Sequence, residues 1–523
     1  MHIEILFYSI VWNLSRVRVL TDKGDYMLMS HDRTVIEDYY LFRERNGIRR
    51  NVDQRGALLR AESKYCGNVH MNVLPAWVRG YYGQGVVVGV VDDGIFLENP
   101  DLMPNIAEGL SYSVVDDSLD PTPSAAVFSH GTRCAGIVAA KANNNFCGVG
   151  VAPKAKIAGM KLFVGASADL TDAEEALALS HSYNDISIYS CSFGPSDYNN
   201  VLEGPDTLTY AAMKLSAEKG RNGKGSIYMF SAGNGGNYGD SCAYNGYINN
   251  IYAIGISAVL TDGSLARYDE ACTSIFGVTY SRQYDDNTTL VVPYGPGGCK
   301  TKFSATSAAA AMGSGVIALV LSANEALSAR DVQHLIARTS KNNGICGNTW
   351  KMNAAGFRVS DYCGFGLLDA GKLTSLAVTW RSVSEQVVCS LKQIEDRVIP
   401  REGQLETNVT VSPKNCENGT IQQLEHVLLT VNITFPRRGH LRIAITTPEN
   451  TTSVIVPGRP TDEEPDLAWT FMTIHHWGER TEGTWLLHVE NTHPHLNNAA
   501  RRQPAYLNEF RLAEPSTLTT TCS

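Results

Sequence analysis

Four short stretches hold the residues best suited to covalent chemistry. In "VVVGVVDDGI" a β-branched run ends on Asp92 and Asp93, and in "SHGTRCAG" His130 stands directly before a small-residue apolar segment. In "YMFSAGNGG" Asn234 follows another apolar run among glycines, and in "KFSATSAAAA" Ser307 opens an alanine-rich stretch. Each has an ordinary reading. Asp-Gly and Asn-Gly are turn dipeptides, a lone histidine is more often structural, and serine is a preferred helix N-cap. Taken together they form a set for acyl transfer. A serine hydroxyl needs a histidine to take its proton and a carboxylate to hold that histidine, and an asparagine amide is a suitable donor to an oxyanion.

A scaffold must bring these residues together. Between about 70 and 378, short apolar runs alternate with helix-like segments. The pattern predicts strands at 86–91, 157–163, 186–190, 227–231 and 251–257, and helices at 172–183, 208–218, 307–323 and 329–339. Continuous apolar strands separated by helices predict a mostly parallel sheet with helices on both faces. In such α/β sheets the chemistry sits at the carboxyl ends of the strands, where Asp92 and Asn234 fall. After Trp380, segments such as "HVLLTVNITF" and "TWLLHVENT" alternate apolar with polar residues, which predicts an antiparallel β sandwich or jelly roll. The expected divisions are an arginine-rich segment at 1–60, the α/β domain at 61–380, the sandwich at 381–515 and a tail at 516–523.

At 523 residues the chain is long enough for two or three domains, and its net charge of −9 argues against nucleic acid as a partner. Twelve cysteines without a C-x-x-C pair give little support to zinc or thioredoxin chemistry. Sequons at Asn13, Asn287, Asn408, Asn418, Asn432 and Asn450, with the cysteines, favour an oxidising secretory route. The apolar run at 5–12 follows His2 and Glu4 instead of basic residues and precedes no clear cleavage site. Apolar runs of about eighteen residues are not evident, so no membrane span is expected.

The chain order Asp92, His130, Asn234, Ser307, within "VVDDGI", "HGTRCAG", "CGVGVAP", "SCSFGP", "SAGNGG" and "GFGLLDAG", resembles the proprotein convertases of the furin and kexin family, among the subtilisin-like serine proteases. The resemblance runs from about 70 to 515, and "LEHVLLTVNITFPRRGHL" and "AWTFMTIHHWGERTEGTW" are similar to that family's β-sandwich P domain. "DISIYSCSFGP" and "HHWGERTEGTW" resemble the subtype-seven branch.

The resemblance implies a calcium-dependent serine endoprotease that processes precursor proteins after paired Lys/Arg residues in the secretory pathway, with its own propeptide as inhibitor and chaperone. Ser307 would attack, His130 would carry the proton, Asp92 would hold the imidazole, and Asn234 would stabilise the oxyanion. Asp93, Asp169, Asp197 and Glu203 match acidic pocket positions, and Ser192 and Gly194 match the edge strand that pairs with substrate. Asn245 stands where the family has a second carboxylate for arginine at the cut, and Val127 and Phe128 replace a polar or acidic stretch beside the next pocket. Asp197, Asp240 and Glu270 match one calcium site. Asp101 and Asn144, with carbonyls around Lys141, Phe146 and Gly148 and with Asp53 as a guess for the missing ligand, match most of another. A third site is degraded, with Ser113 and Thr122 in place of acids. The implied disulfides are Cys147–Cys299, Cys242–Cys272 and Cys389–Cys416, with Cys346–Cys363 as an extra bridge and Cys134 left as a thiol.

Two departures stand out. Ala305 replaces the glycine of the family's Gly-Thr-Ser, which matters if that position has positive φ. "EDYYLFRERNGIRR" resembles part of a propeptide, most of which is expected to be missing. The alternatives are a catalytically impaired pseudoprotease or splice form acting as a binding protein, and a glycan-binding secreted protein.

Overall fold

The strand "VVGVVD" has no polar face: five of its six residues are buried, as befits a strand covered on both sides. In the computed structural model the described residues are 17–20, 26–29, 70–165, 170–285, 290–412, 423–493 and 505–517. The chain forms two compact units, Met1–Asp53 and Gln54–Ser523. Within the first, β1 (Val17–Leu20) pairs antiparallel with β2 (Tyr26–Met29). The second carries the α/β layers and the sandwich.

The α/β part is built on β3 (Val87–Asp92), β4 (Tyr112–Ser113), β5 (Lys156–Lys161), β6 (Ile188–Cys191), β7 (Ile227–Ser231), β8 (Ala253–Val259) and β9 (Ile275–Tyr280). They form one seven-stranded sheet in the order β4-β5-β3-β6-β7-β8-β9, with every pairing parallel. The helices flanking it are α1 (His130–Ala139), α2 (Asp172–Ala178), α3 (Thr207–Gly223), α4 (Ala305–Ala323) and α5 (Ala329–Thr339). α4 is buried from Ala305 through Leu321. By length and composition this helix would suffice to cross a membrane, contrary to the expectation that no such run exists, but here it is the core of the α/β layers.

Two further expectations are corrected. The helix predicted at 172–183 stops at Ala178, and Ser182 turns left-handed at φ 51°. The helix predicted from Ser307 begins two residues earlier, and its N-cap is Ser304, which makes no side-chain capping bond. β9 and α1 were not predicted. β9 interleaves glycine and threonine with its apolar residues, and α1 carries two glycines, which weaken helix propensity.

The sandwich comprises a larger sheet in the order β10 (Gln386–Val398), β18 (Tyr506–Thr517), β13 (Val427–Thr434), β16 (Leu467–Thr473), with β12 (Gln423–Leu424) also on β18. The second sheet runs β11 (Gln404–Val411), β17 (Gly483–Asn491), β14 (Leu441–Thr446), β15 (Thr452–Val456). All pairings are antiparallel, and β13 alternates buried and more exposed residues, the period-two pattern of a half-buried strand.

The sandwich docks on the α/β layers through buried Trp477. His334 lies 4.9 Å and His426 5.3 Å from its ring, beside Phe276 and Phe365. Buried Glu425 accepts from Arg330 at 2.6 Å and from His334 at 2.9 Å. Burial opposes its ionisation, but His334 and Arg330 outweigh that and hold its pKa down at about 2. Neither ring nitrogen of His426, nor Nε2 of His475, has a hydrogen-bond partner, and burial depresses both imidazoles to about 4 from the usual 6.5.

These histidines are neutral in the folded protein and take up protons on unfolding. Their neutral burial costs nothing above about pH 6.5, and stability is lost as pH falls from there towards 4, by up to about 3 kcal/mol for each imidazole. Thermal midpoints measured from pH 7.5 to 4.5 are expected to fall on the acid side. His426→Phe, which suits the aromatic surroundings, is expected to flatten that slope. An unchanged slope in the variant would refute the assignment.

Candidate active site

Asp92 ends β3 at the carboxyl edge of the sheet, and His130 opens α1. His130 Nδ1 lies 2.8 Å from both Asp92 carboxylate oxygens. Asp92 is fully buried, whereas the His130 side chain is 31% exposed, so the imidazole meets solvent on one side only. Burial disfavours the imidazolium, but the adjacent carboxylate outweighs it and raises the pKa well above the ordinary value. The Phe303 edge packs on the imidazole at 5.3 Å, and the Arg133 guanidinium covers the other ring. The Gly131 backbone passes close behind the carboxylate: a Cβ there would fall 2.5 Å from the Gly94 carbonyl and 2.8 Å from Asp92 Cβ.

Asp93 anchors the same helix. Its Oδ2 accepts the His130 N–H at 2.9 Å and its Oδ1 the Gly131 N–H at 2.7 Å, in the place where a helix N-terminus favours an anion. Burial, then the Asp92 charge, pushes its pKa up to about 6. Both oxygens are engaged in anchoring, so any substrate contact falls to their remaining lone pairs.

Ser307 lies in the first turn of α4, almost buried, and its carbonyl accepts the Ser192 hydroxyl at 3.2 Å. The Thr306 N–H donates to Asn234 Oδ1 at 3.0 Å, and the Thr306 hydroxyl lies 2.8 Å from the same oxygen. A backbone N–H can only donate, so this fixes the amide orientation and makes Asn234 Nδ2 the donor end, which the Asp197 carboxylate engages. Ala305 has φ 68°, which satisfies the condition under which replacing glycine is costly.

The loop leaving β7 is bounded by carboxylates. Asp197 Oδ1 accepts the Asn234 N–H at 2.9 Å, Glu270 Oε1 the Gly235 N–H at 2.8 Å, and Asp240 the N–H groups of Asn199 and Ser241. Gly233 sits at φ 103°, where a Cβ would fall 2.3 Å from Glu270 Oε1. Burial, and then the other acids, raises the pKa values of Asp197 and Glu270. A buried carboxylate, Glu270, with two half-buried ones, Asp197 and Asp240, close enough for their charges to oppose one another, suits a hard cation. The fit is poorer at Asp101. Asn144 turns its amide nitrogen, not its oxygen, towards Asp101 at 2.7 Å, and Gly148 N–H takes the second oxygen, so Asp101 is satisfied without a metal. At the degraded third position the chain supplies its own cation: Lys161 Nζ lies 2.6 Å from Asp116, which also binds the Ser113 hydroxyl, and 3.5 Å from the Thr122 carbonyl.

Gly194 packs against Asn245, so a Cβ at Gly194 would fall 3.0 Å from the Asn245 amide nitrogen. Asn245 Oδ1 accepts the Tyr247 N–H at 3.0 Å. Glu203 lies in a cleft of about 850 Å³ between the α/β layers and the sandwich, with Glu175, Tyr247, Trp469 and Arg511 on its walls. Glu175 was missed. It accepts the Tyr247 hydroxyl at 2.6 Å, and burial raises its pKa. Its spacing of three and four from Ala178 and Leu179 was the available signal, because it places a carboxylate on the apolar face of α2. Val127 is 68% exposed, and Phe128 packs towards Gly165. Asp169, Cys416, Asp53 and the propeptide-like stretch lie outside the described residues. Cys147–Cys299, Cys242–Cys272 and Cys346–Cys363 are bridged, Cys389 is disulfide-bonded, and Cys134 and Cys191 are buried thiols.

Residues 83–366 match the Subtilase family, and residues 424–513 match the Proprotein convertase P-domain. The chain is 41% identical over 428 residues to furin of Bos taurus, covering 81% of this chain and 53% of that protein. Endoprotease bli-4 of Caenorhabditis elegans is 40% identical over 432 residues, with 81% and 46% covered. Proprotein convertase subtilisin/kexin type 5 of Mus musculus is 40% identical over 453 residues, with 84% and 24% covered. The chain thus spans about half the length of the first two relatives. The fold is shared with the crystal structure of the Aeromonas sobria serine protease and its chaperone, at TM-score 0.74 and 23% identity over 84% of this chain and 89% of that one. A subtilase match over more than half of the chain, followed by a P domain, shows that this protein belongs to the subtilase family, among the proprotein convertases.

Proposed function

We propose that the chain is a calcium-dependent serine endoprotease that processes precursor proteins of the secretory pathway after basic residues. The observation that carries this reading is the Asp92–His130 pair, opening a helix that packs against the serine-bearing α4, together with the bond from Thr306 that locks the Asn234 amide. Ser307 attacks the scissile carbonyl and His130 takes its proton, later returning it to the leaving amine, while Asp92 stabilises the imidazolium. Asn234 Nδ2 donates to the oxyanion, a contribution of roughly 3 kcal/mol to the barrier. The substrate backbone pairs with the segment at Ser192–Gly194.

The acids supply the selectivity. Asp197 faces the residue at the cut, Asp93 the residue before it, and Glu203 with Glu175 a basic residue further upstream. Asp169 belongs to the same set by resemblance. Asp197, Asp240 and Glu270 would hold the calcium ion, which supplies positive charge to their cluster and takes no part in bond making. Asp101 and Asn144 are the weaker second set. The exposed sequons Asn408, Asn432 and Asn450 on the sandwich and the bridged cysteines support a secretory route. The propeptide is the proposed inhibitory partner.

One observation favours a second reading, an impaired protease that acts by binding: the backbone of Ala305, two residues before Ser307, is held at φ 68°. A non-glycine residue there costs about 1–2 kcal/mol. Ala305→Gly is expected to stabilise the protein by about 1 kcal/mol in a denaturation midpoint and to raise kcat. If neither form reacts with a fluorophosphonate, the binding reading stands.

Ser307→Ala is expected to abolish cleavage of a dibasic peptide and labelling by a peptidyl chloromethyl ketone, with an unchanged melting temperature. Residual turnover at the wild-type rate would remove Ser307 from the mechanism.

Asn245 carries no charge and its oxygen already accepts the Tyr247 N–H, so it cannot compensate a guanidinium as a carboxylate would. Selectivity for arginine at the cut is therefore expected to be weak. Asn245→Asp should raise kcat/KM for an arginine substrate roughly tenfold or more over a neutral control. A strict Lys-Arg requirement in wild type, unmoved by the substitution, would sink this specificity.

A further inference from the structure

The acid cluster beside the β7 loop has a partner from the sandwich. Arg459, fully buried, reaches across the domain boundary: its Nη1 lies 3.1 Å from Asp240 Oδ1 and donates to the Val201 carbonyl at 2.8 Å. Its guanidinium lies 3.6 Å from the centroid of the Tyr244 ring, one residue from Asn245. Its Nη2 is paired with buried Asp462, which also accepts from Arg438 Nε at 2.8 Å. Arg438 in turn donates to the Asn200 carbonyl at 2.8 Å. Asn199 bonds Asp240 through its N–H and Thr461 of the sandwich through its side chain.

The segment 197–201, which begins at the pocket acid Asp197 and ends at two carbonyls held by arginines, is thus fastened from the P-domain side. Charge gives the same picture. Asp197, Asp240, Glu270 and Asp462 are four carboxylates, and Arg438 and Arg459 are two guanidiniums, which leaves two negative charges, the complement of one divalent cation. Without Arg459 the deficit is three, and a buried charge without a partner is costly.

We propose that Arg459 is a positioning residue, a tethered counter-cation through which the P domain holds the pocket wall at 197–201 and shares with calcium the neutralisation of Asp197, Asp240 and Glu270. The calcium part rests on the ligand set proposed above. The arginine therefore matters most when the ion is absent. A packing residue would be missed equally with and without it.

The test compares wild type, Arg459→Met and Arg459→Lys by thermal melting in calcium and in chelator, which needs no catalytic turnover. The Met variant is expected to lose more in chelator than in calcium, so the calcium-induced rise in Tm grows by roughly 3 °C or more over wild type. Lys, which keeps the charge, is expected to return the rise to near the wild-type value. Equal losses in both conditions, or no rescue by Lys, would overturn the counter-cation role.

Hydrogen exchange at 198–203 reads the fastening independently of metal. Faster exchange there in the Met variant, with α5 unchanged, supports the proposal, and unchanged protection overturns it. If wild-type Tm ignores calcium, the calcium ligand set fails and the counter-cation role with it, while exchange still decides the fastening. If the Met variant does not fold, the Lys variant carries the exchange measurement, because an ammonium cannot span Asp240, the Val201 carbonyl and Asp462 as the guanidinium fork does.

Discussion

The bond from Thr306 to the Asn234 side chain ties the loop leaving β7 to the first turn of α4, and the rest of the site is arranged around that tie. It orients the Asn234 amide and sets the start of the helix that carries Ser307. Next to Asn234 in the chain, Gly233 lies so near Glu270 that no side chain fits between them. Because α4 is buried along almost its whole length, its N-terminus has little freedom to adjust. A backbone strained at Ala305 therefore stays strained, since relief would require moving a core helix.

The sequence made the scaffold legible where chemistry and periodicity agreed. Asp92 and Asn234 end buried apolar strands, and in a parallel sheet that is where a polar side chain can face a cleft. The start of α4 was placed two residues late because hydroxyl residues at 304, 306 and 307 offer three candidate starts, of which the fold uses Ser304 as the cap. Glu175 escaped notice because an acid in the first turn of a helix reads as a response to the helix dipole. Only the fold reveals that Tyr247 faces it. Asn144 could be paired with Asp101 from the resemblance, but the direction of its amide depends on the Phe146 N–H, which sequence does not display.

The interface between the layers is unusual for its ionisable content. Histidines, an arginine, a glutamate and aromatic rings meet where an ordinary core would be aliphatic, and Glu425 is kept ionised by the groups it binds. Such an arrangement is specific, because each buried charge accepts only a matching partner. It is also conditional, because its members exchange protons with solvent whenever the layers part. On the far side, Arg459 extends the same logic to the pocket wall, so the sandwich contacts the catalytic layers through charge at two separate places.

The ammonium of Lys161 beside Asp116 has a different consequence. A cation bound covalently to the chain cannot be diluted, chelated or outcompeted, so the turn at 113–122 takes its shape at synthesis whatever the surrounding fluid contains. The loop carrying Asp197 and its neighbours has only part of its positive charge built in. Within one catalytic layer, then, one wall is indifferent to the mineral content of its compartment, and with the proposed calcium ligands the other would respond to it. A chain moving from calcium-poor to calcium-rich surroundings would find one side of its cleft already set and the other still to be completed.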